Sequence, residues 1–442
     1  MRGSDHPKWA RQLAAAVACA ALVTGLAVVT GPAQAPTVDE HGPVGTGAVL
    51  SLSAFASRGP GVTASTGPGA APPAQIPWGR VGAGWSVAVE APDAARYDRY
   101  VVYLVSPGRL RYRARTLALG GRGGLVRLAD WSGDKRRALL ELTGAGNTGD
   151  LTRVVDLDLA TGSELGSFSV ANLASAQFTR PAGADLLITT KSSVYRAYPD
   201  GALQARLPSQ LVDHPVQTPL GEYPDPLYTP DGTRIVFQSS AGLEVATNAG
   251  MAVRSLRSPT GEACSPVRWW APGTVLAWCG TGYYGGSQMG GQLWRVPVSG
   301  AAPSPVTPAR HGAMAFIDED AWVLPSGTYV QQVLMACAGW WLIGRLGPGG
   351  KVTRVRVPTS DGNVFVDGAY GARLQIRAAL NCGQMGPGLP VVGDSLAWFD
   401  PVTKSLEVVL GPAPGNRATR RSSVVDALLY NPLPSSWQAG WL

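Results

Sequence analysis

Past residue 35 the chain has no long helical stripe, and only 15% of its 442 residues are charged. An all-helical architecture needs apolar residues recurring at three- and four-residue spacing, and that pattern is missing. Histidine is scarce: His6, His41, His214 and His311 are the whole set, and no two stand at metal-ligand spacing. No metal site is expected from such a set, zinc least of all. Basic clusters do not exceed Lys135-Arg136-Arg137 and Arg420-Arg421. The formal net charge of +7 falls to about +5 once residues 1–35 are set aside with Arg2, Lys8 and Arg11 against Asp5. A surface that tracks phosphates needs a denser stripe, so nucleic acid is not an expected partner. No glycine-rich loop stands between strand and helix, so no nucleotide cofactor is expected, and nothing calls for another. A serine nucleophile elbow is missing too, because Gly285-Gly286-Ser287-Gln288-Met289 has methionine where the last glycine belongs.

What the chain does have is turn residues, 56 glycines and 36 prolines, mostly scattered. Residues 228–239 read YTPDGTRIVFQS. A short strand runs into Pro230-Asp231-Gly232, which suits a tight turn: proline fixes φ, aspartate bonds its own backbone, and glycine tolerates positive φ. A second strand follows, with Ile235 and Phe237 on one side and Val236 and Gln238 on the other. A second hairpin turns at Asn248-Ala249-Gly250, so two hairpins make a four-stranded meander of about 45 residues.

The outer turn recurs seven times, at Ser106-Pro107-Gly108, Ala160-Thr161-Gly162, Pro199-Asp200-Gly201, Asn248-Ala249-Gly250, Val298-Ser299-Gly300, residues 347–350 and residues 400–404. The second strand of each unit is expected to begin near Trp85, Ala138, Leu186, Ile235, Val275, Trp322 and Leu374. Repetition at this period predicts an all-β fold, a seven-bladed β-propeller of four-stranded antiparallel blades over residues 76–411. Blade 1 is the poorest copy, which keeps six and eight blades as neighbouring counts; a β-sandwich is the competing architecture.

Residues 1–35 have the pattern of a signal peptide: a basic start, an apolar run over 13–30, and Ala33-Gln34-Ala35 as a cleavage site. An uncleaved membrane anchor is the alternative. Residues 36–75 read as a disordered linker, too poor in apolar side chains to fold alone. Residues 412–442 form a C-terminal tail in which residues 424–429 are suited to close the ring. No second apolar stretch is long enough to span a bilayer, so after cleavage the chain is expected to be secreted or held at the cell envelope.

Cys264, Cys279, Cys337 and Cys382 remain after the export segment, an even number that favours disulfides in an exported chain. Cys264 and Cys279 stand nearly equidistant from the turn at Ala271-Pro272-Gly273, which predicts a cross-strand bond. Cys337 and Cys382 would staple blade 6 to blade 7. The long second-to-third connections are expected at residues 143–150, 280–291, 326–332 and 381–393, all on one rim. Tyr283, Tyr284 and Trp340 are the candidate binding residues there, since aromatic faces suit sugar, peptide and protein recognition. Trp270, Trp278, Trp294 and Trp322 read as blade packing. Asp318-Glu319-Asp320 reads as a solvated turn. Asp156 and Asp158 share a strand face without a complete cation loop. Asp98, Asp134, Glu222, Asp225 and Asp367 keep a glycosidase reading open.

The stretch TPDGTRIVF, residues 229–237, resembles the Pro-Asp-Gly repeat of TolB-like and WD-like bacterial propellers, and blades 2, 3, 5 and 7 show eroded versions of it. The resemblance implies an exported protein-binding propeller without catalysis. The chain departs from the TolB family in lacking an α/β domain before the propeller and in its seven blades, so only fold and a general binding role carry over. The expected function is therefore a non-catalytic propeller binding an envelope protein, peptide or glycan. A carbohydrate-active hydrolase or lyase, or a purely structural envelope protein, is the alternative.

Overall fold

The computed structural model describes residues 62–63 and 70–430, apart from 94–96, 120–123, 145–150, 209–225, 240–241, 260–262, 281–289, 312–315, 335–339, 359–362, 380–392 and 412–421. Seven four-stranded antiparallel blades form a ring. Blade 2 contains Leu125–Trp131, Arg137–Thr143, Leu151–Asp158 and Glu164–Ala171; blade 3 contains Leu173–Phe178, Leu186–Thr190, Val194–Ala197 and Leu203–Arg206. Blade 4 contains Leu227–Tyr228, Arg234–Ser239, Gly242–Thr247 and Arg254–Ser255; blade 5 contains Ala263–Ala271, Thr274–Gly280, Gly290–Pro297 and Ser304–Pro305. Blade 6 contains Ile317–Leu324, Gly327–Leu334, Trp340–Leu346 and Val352–Val355; blade 7 contains Asn363–Tyr370, Arg373–Ala379, Gly393–Phe399 and Leu406–Leu410.

Blade 1 is assembled from both ends of the chain. Ser86–Ala91, Arg99–Val105 and Arg111–Ala118 supply three strands. Ser423–Leu429 pairs antiparallel with Ser86–Ala91 as the fourth and innermost strand, and Gly393 of blade 7 also pairs with Val424. Closure of this kind leaves no gap of unpaired backbone at the ring's start.

The alternation in blade 4 places its side chains on two seams. Ile235 and Phe237 pack with Leu187, Val194 and Tyr228 towards blade 3. Val236 packs with Leu243, Val275 and Trp269 towards blade 5. Strands buried on both faces are what a ring of stacked sheets requires. Trp269, Trp341 and Trp398 are the largest fully buried side chains.

All seven outer turns lie between third and fourth strands. In blades 2 and 7 the same device builds the turn. The Asp158 carboxylate accepts the Ala160 N–H at 2.6 Å and the Thr161 N–H at 3.2 Å. Asp400 accepts the Val402 N–H at 2.8 Å and the Thr403 N–H at 3.2 Å. The first-to-second turns of blades 2 and 4 also share one design. Asp231 accepts Thr229 Oγ1 at 2.6 Å and the Thr233 N–H at 3.0 Å; Asp134 accepts Ser132 Oγ at 2.5 Å and the Arg136 N–H at 3.0 Å. Gly232 and Lys135 occupy the same left-handed position, each with φ 71°. A Cβ on Gly232 would also collide with the Arg180 carbonyl of blade 3, so this glycine serves a close approach as well as a turn.

Blade 6 corrects two expectations. Trp322 belongs to the first strand, Ile317–Leu324, and the second strand begins at Gly327. Residues 326–332 are not an upper-rim loop: Leu324 pairs with Gly327 across a tight turn at Pro325-Ser326 on the opposite rim. The apolar run from Ala321 to Leu324 resembles a second strand because the first strand of this blade is buried on both faces.

Candidate functional site

Two levels of the ring carry candidate chemistry: the rim reached by the second-to-third connections, and a charged layer inside the ring. The rim is anchored in blade 5 by Cys264 and Cys279, which pair across the first two strands with Cα atoms 4.0 Å apart and form a disulfide. Closing a loop of this size restricts the unfolded chain by about 3 kcal/mol. Gly280 ends the second strand beside this bond and Gly290 begins the third. Gly291 leaves no room for a Cβ because the Trp278 ring lies against it.

Tyr283, Tyr284, Cys337 and Cys382 fall outside the described residues, as do Glu222 and Asp225. Trp340 opens the third strand of blade 6, opposite Leu334. Its neighbour Trp341 is fully buried and packs on Phe365 of blade 7 with ring centroids 4.8 Å apart. Trp278 and Trp322 are buried in the blade cores, and Trp270 and Trp294 pack against them half-buried.

The charged layer is a constellation that sequence reasoning missed. In blades 1, 2, 5, 6 and 7 the innermost strand slips register by one residue against its neighbour, at Val425, Ala129, Val267, Glu319 and Asp367. The slip turns the next residue towards the adjoining blade. In three blades that residue is aspartate, and its carboxylate accepts the N–H of the residue after it: Asp130 from Trp131 at 2.8 Å, Asp320 from Ala321 at 2.6 Å, Asp426 from Ala427 at 2.9 Å. Each then reaches across a seam. Asp426 accepts the Leu128 N–H of blade 2 at 2.8 Å, and Asp130 accepts the Phe178 N–H of blade 3 at 2.9 Å. Arg180 forks onto Asp130 at 2.9 and 2.8 Å, and Arg268 of blade 5 donates to Asp320 of blade 6 at 2.7 Å.

At the closing seam Arg377 of blade 7 donates to Asp367 at 2.9 Å and to the Val425 carbonyl at 3.0 Å, and lies 3.6 Å from Asp426. One guanidinium thus faces two buried carboxylates. Burial pushes the Asp367 carboxyl up to about 7, with Arg377 pulling the other way and Asp426 adding to the rise. Asp426 and Asp320 are likewise raised by burial. A second acidic group without a second cation is relieved by holding one proton.

Asp318, Glu319 and Asp320 are therefore not a solvated turn. All three are buried in the innermost strand of blade 6, where Asp318 accepts Gln332 Nε2 at 2.7 Å and pairs with Arg310 at 3.2 Å. Burial of three successive acids is invisible without the cross-blade partners, and Arg268 lies some fifty residues earlier. A findable signal did exist: an aspartate recurring within the innermost strand of several units, at Asp130, Asp320, Asp367 and Asp426. Asp156 pairs with Arg137 at 2.9 Å. Among the described residues no group of three metal-ligating side chains converges.

No family model and no curated protein sequence matches the chain. Solved structures of similar fold include TolB from Acinetobacter baumannii, at 15% identity and TM-score 0.40, covering 61% of this chain and 62% of that one. The β-propeller domain of Cps50 (Swd1) from Myceliophteria thermophila aligns at 14% identity and TM-score 0.41, covering 67% of this chain and 94% of that one. Prolyl oligopeptidase B from Galerina marginata aligns at 9% identity and TM-score 0.44, covering 75% of this chain and 51% of that one. The chain thus spans about 62% of the length of the TolB that it matches. TolB and WD-type propellers are among the structures the chain is similar to, and what is shared is the fold.

Proposed function

We propose that this chain is an exported, non-catalytic propeller whose upper rim binds a protein, a peptide or a cell-envelope glycan. The observation that supports the reading is the asymmetry of the two rims. The lower rim is built from tight turns such as Leu324 to Gly327 and Tyr370 to Arg373. On the upper rim the second and third strands of blades 5 and 7 end far apart in sequence, from Gly280 to Gly290 and from Ala379 to Gly393, while blades 3 and 4 turn tightly there, from Thr190 to Val194 and from Ser239 to Gly242. Long connections held on a rigid scaffold are where recognition residues concentrate. The Cys264–Cys279 bond beneath this rim suits an oxidising compartment, in keeping with the signal-like residues 1–35. Among the described residues no helix is long and apolar enough to cross a membrane.

The inner carboxylates fit a scaffold role. Asp130, Asp320, Asp367 and Asp426 are each committed to an arginine, a neighbouring backbone N–H, or both. The test is recovery of partners from an envelope extract by the protein lacking residues 1–35, native against Tyr283→Ala/Tyr284→Ala. Loss of a partner with the double variant is expected; equal recovery of every partner removes the site from Tyr283 and Tyr284.

A further inference from the structure

The seven outer strands differ in how their free edges are managed. Those of blades 3, 4, 5 and 6 are short: Leu203–Arg206, Arg254–Ser255, Ser304–Pro305 and Val352–Val355. Those of blades 7 and 1 are longer, and the chain's own N-terminal lead covers them. Val62–Thr63 pairs in parallel with Leu406 and Glu407. Ala71 donates to the Arg111 carbonyl at 2.8 Å and accepts the Arg113 N–H at 3.0 Å. The outer strand of blade 2, Glu164–Ala171, has eight residues, and no described strand pairs with its outer side. Its sequence, ELGSFSVA, holds no lysine, arginine or proline, the residues that blunt exposed edges, and Leu165 stands half-exposed on it.

A groove of about 350 Å³ runs from this edge inward, between the outer strand of blade 1 and the last three strands of blade 2. Leu117 and Leu151 give it apolar walls, and Ser169 faces it from the edge strand itself. Arg115 and Arg153 both reach Glu164, at 3.7 and 2.7 Å, so two partly exposed guanidiniums share one carboxylate. The local charge is positive by one.

We infer that this edge accepts an extended, acidic segment of another protein as a fifth strand of blade 2. Backbone hydrogen bonds would supply affinity. Alternate side chains of the added strand would point into the groove, apolar ones against Leu117 and Leu151 and an acidic one towards Arg115 and Arg153. The same molecule already uses this mode on blades 7 and 1 with its own lead segment. The groove's end at Thr143, Gly144 and Leu151 meets the upper rim of blade 2, but the surface lies on blades 1 and 2 and not on blade 5, so the inference stands or falls independently of Tyr283 and Tyr284.

The test uses a fluorescein-labelled eight-residue peptide in which valine and glutamate take turns along one face and threonine fills every second position. Two control peptides carry lysine for glutamate, or methyl groups on alternate backbone nitrogens. Saturable anisotropy change with the acidic peptide is expected, weakened by about tenfold or more in both controls and in Arg153→Glu. The methylated peptide leaves the protein untouched, so its loss of binding does not depend on a variant folding. Undiminished binding of the methylated or lysine peptide, or no binding at ~1 mM acidic peptide, overturns the inference. So does a sedimentation dimer of the unliganded protein that Arg153→Glu dissociates, since the edge then belongs to a second copy.

Discussion

The seam between blades 3 and 4 and the seam between blades 7 and 1 join neighbouring sheets by different chemistry. The first is mainly apolar, with Ile235, Phe237, Leu187 and Tyr228 interlocked, Gly232 pressed on the Arg180 carbonyl, and one polar tie from Arg196 to the Asn248 carbonyl at 2.6 Å. The second adds a fully buried Arg377 between Asp367 and Asp426 to its apolar contacts. Apolar packing tolerates small errors of position, whereas a buried ion triad is satisfied only when all three members meet. The difference suits where each seam lies. Blades 3 and 4 follow one another along the chain, but blades 7 and 1 must find each other across its whole length, and the triad specifies that meeting.

The comparison is broken most severely by Arg377→Ala. Two carboxylates are then buried without their cation, and a loss of about 3–5 kcal/mol is expected in urea unfolding. The combined Arg377→Met/Asp367→Asn/Asp426→Asn variant should recover much of it, because no charge remains to be compensated. The triad also gives this seam a pH dependence that the apolar one lacks. Folded Asp367 holds its proton to about 7 against 3.8 for the ordinary carboxyl. The folded state therefore carries more protons between these values, and stability falls as pH rises from about 4 to about 7. Unfolding midpoints measured across that range should flatten in Asp367→Asn.

On the apolar seam Gly232→Ala combines a left-handed backbone with a clash against backbone, and should cost about 2 kcal/mol in thermal or urea unfolding. Ile235→Val removes one methylene from the same seam and should cost about 1 kcal/mol by the same measurement. If Ile235→Val proved as damaging as Arg377→Ala, the distinction between the seams would fail.

The two seams were not equally legible in the sequence. Ile235, Val236, Phe237 and Gln238 alternate in a plain strand between turn residues, so both their faces could be assigned from residues 228–239 alone. The seven outer turns were legible for the same reason: Asp158 and Asp400 fold their own next residues, a wholly local event. Asp320 and Asp426 act through a one-residue slip of register and through partners on other blades. A slip reverses which face a side chain takes, so period-two reading misplaces it. Trp322 was misplaced because a strand buried on both faces has no alternation to fix its position in the blade. At the rim, Cys264–Cys279 was legible from symmetry about one turn, while Trp340 could be put on a strand but not assigned a role.

Blade 1 cannot be finished when it is made. A ribosome delivers residues 86–118 early, yet their inner partner, Ser423–Leu429, follows only after blades 2 to 7. Until then the backbone of Ser86–Ala91 has an open flank, and an interruption of synthesis between residues 410 and 423 yields a complete set of later blades around a permanently unfinished first one.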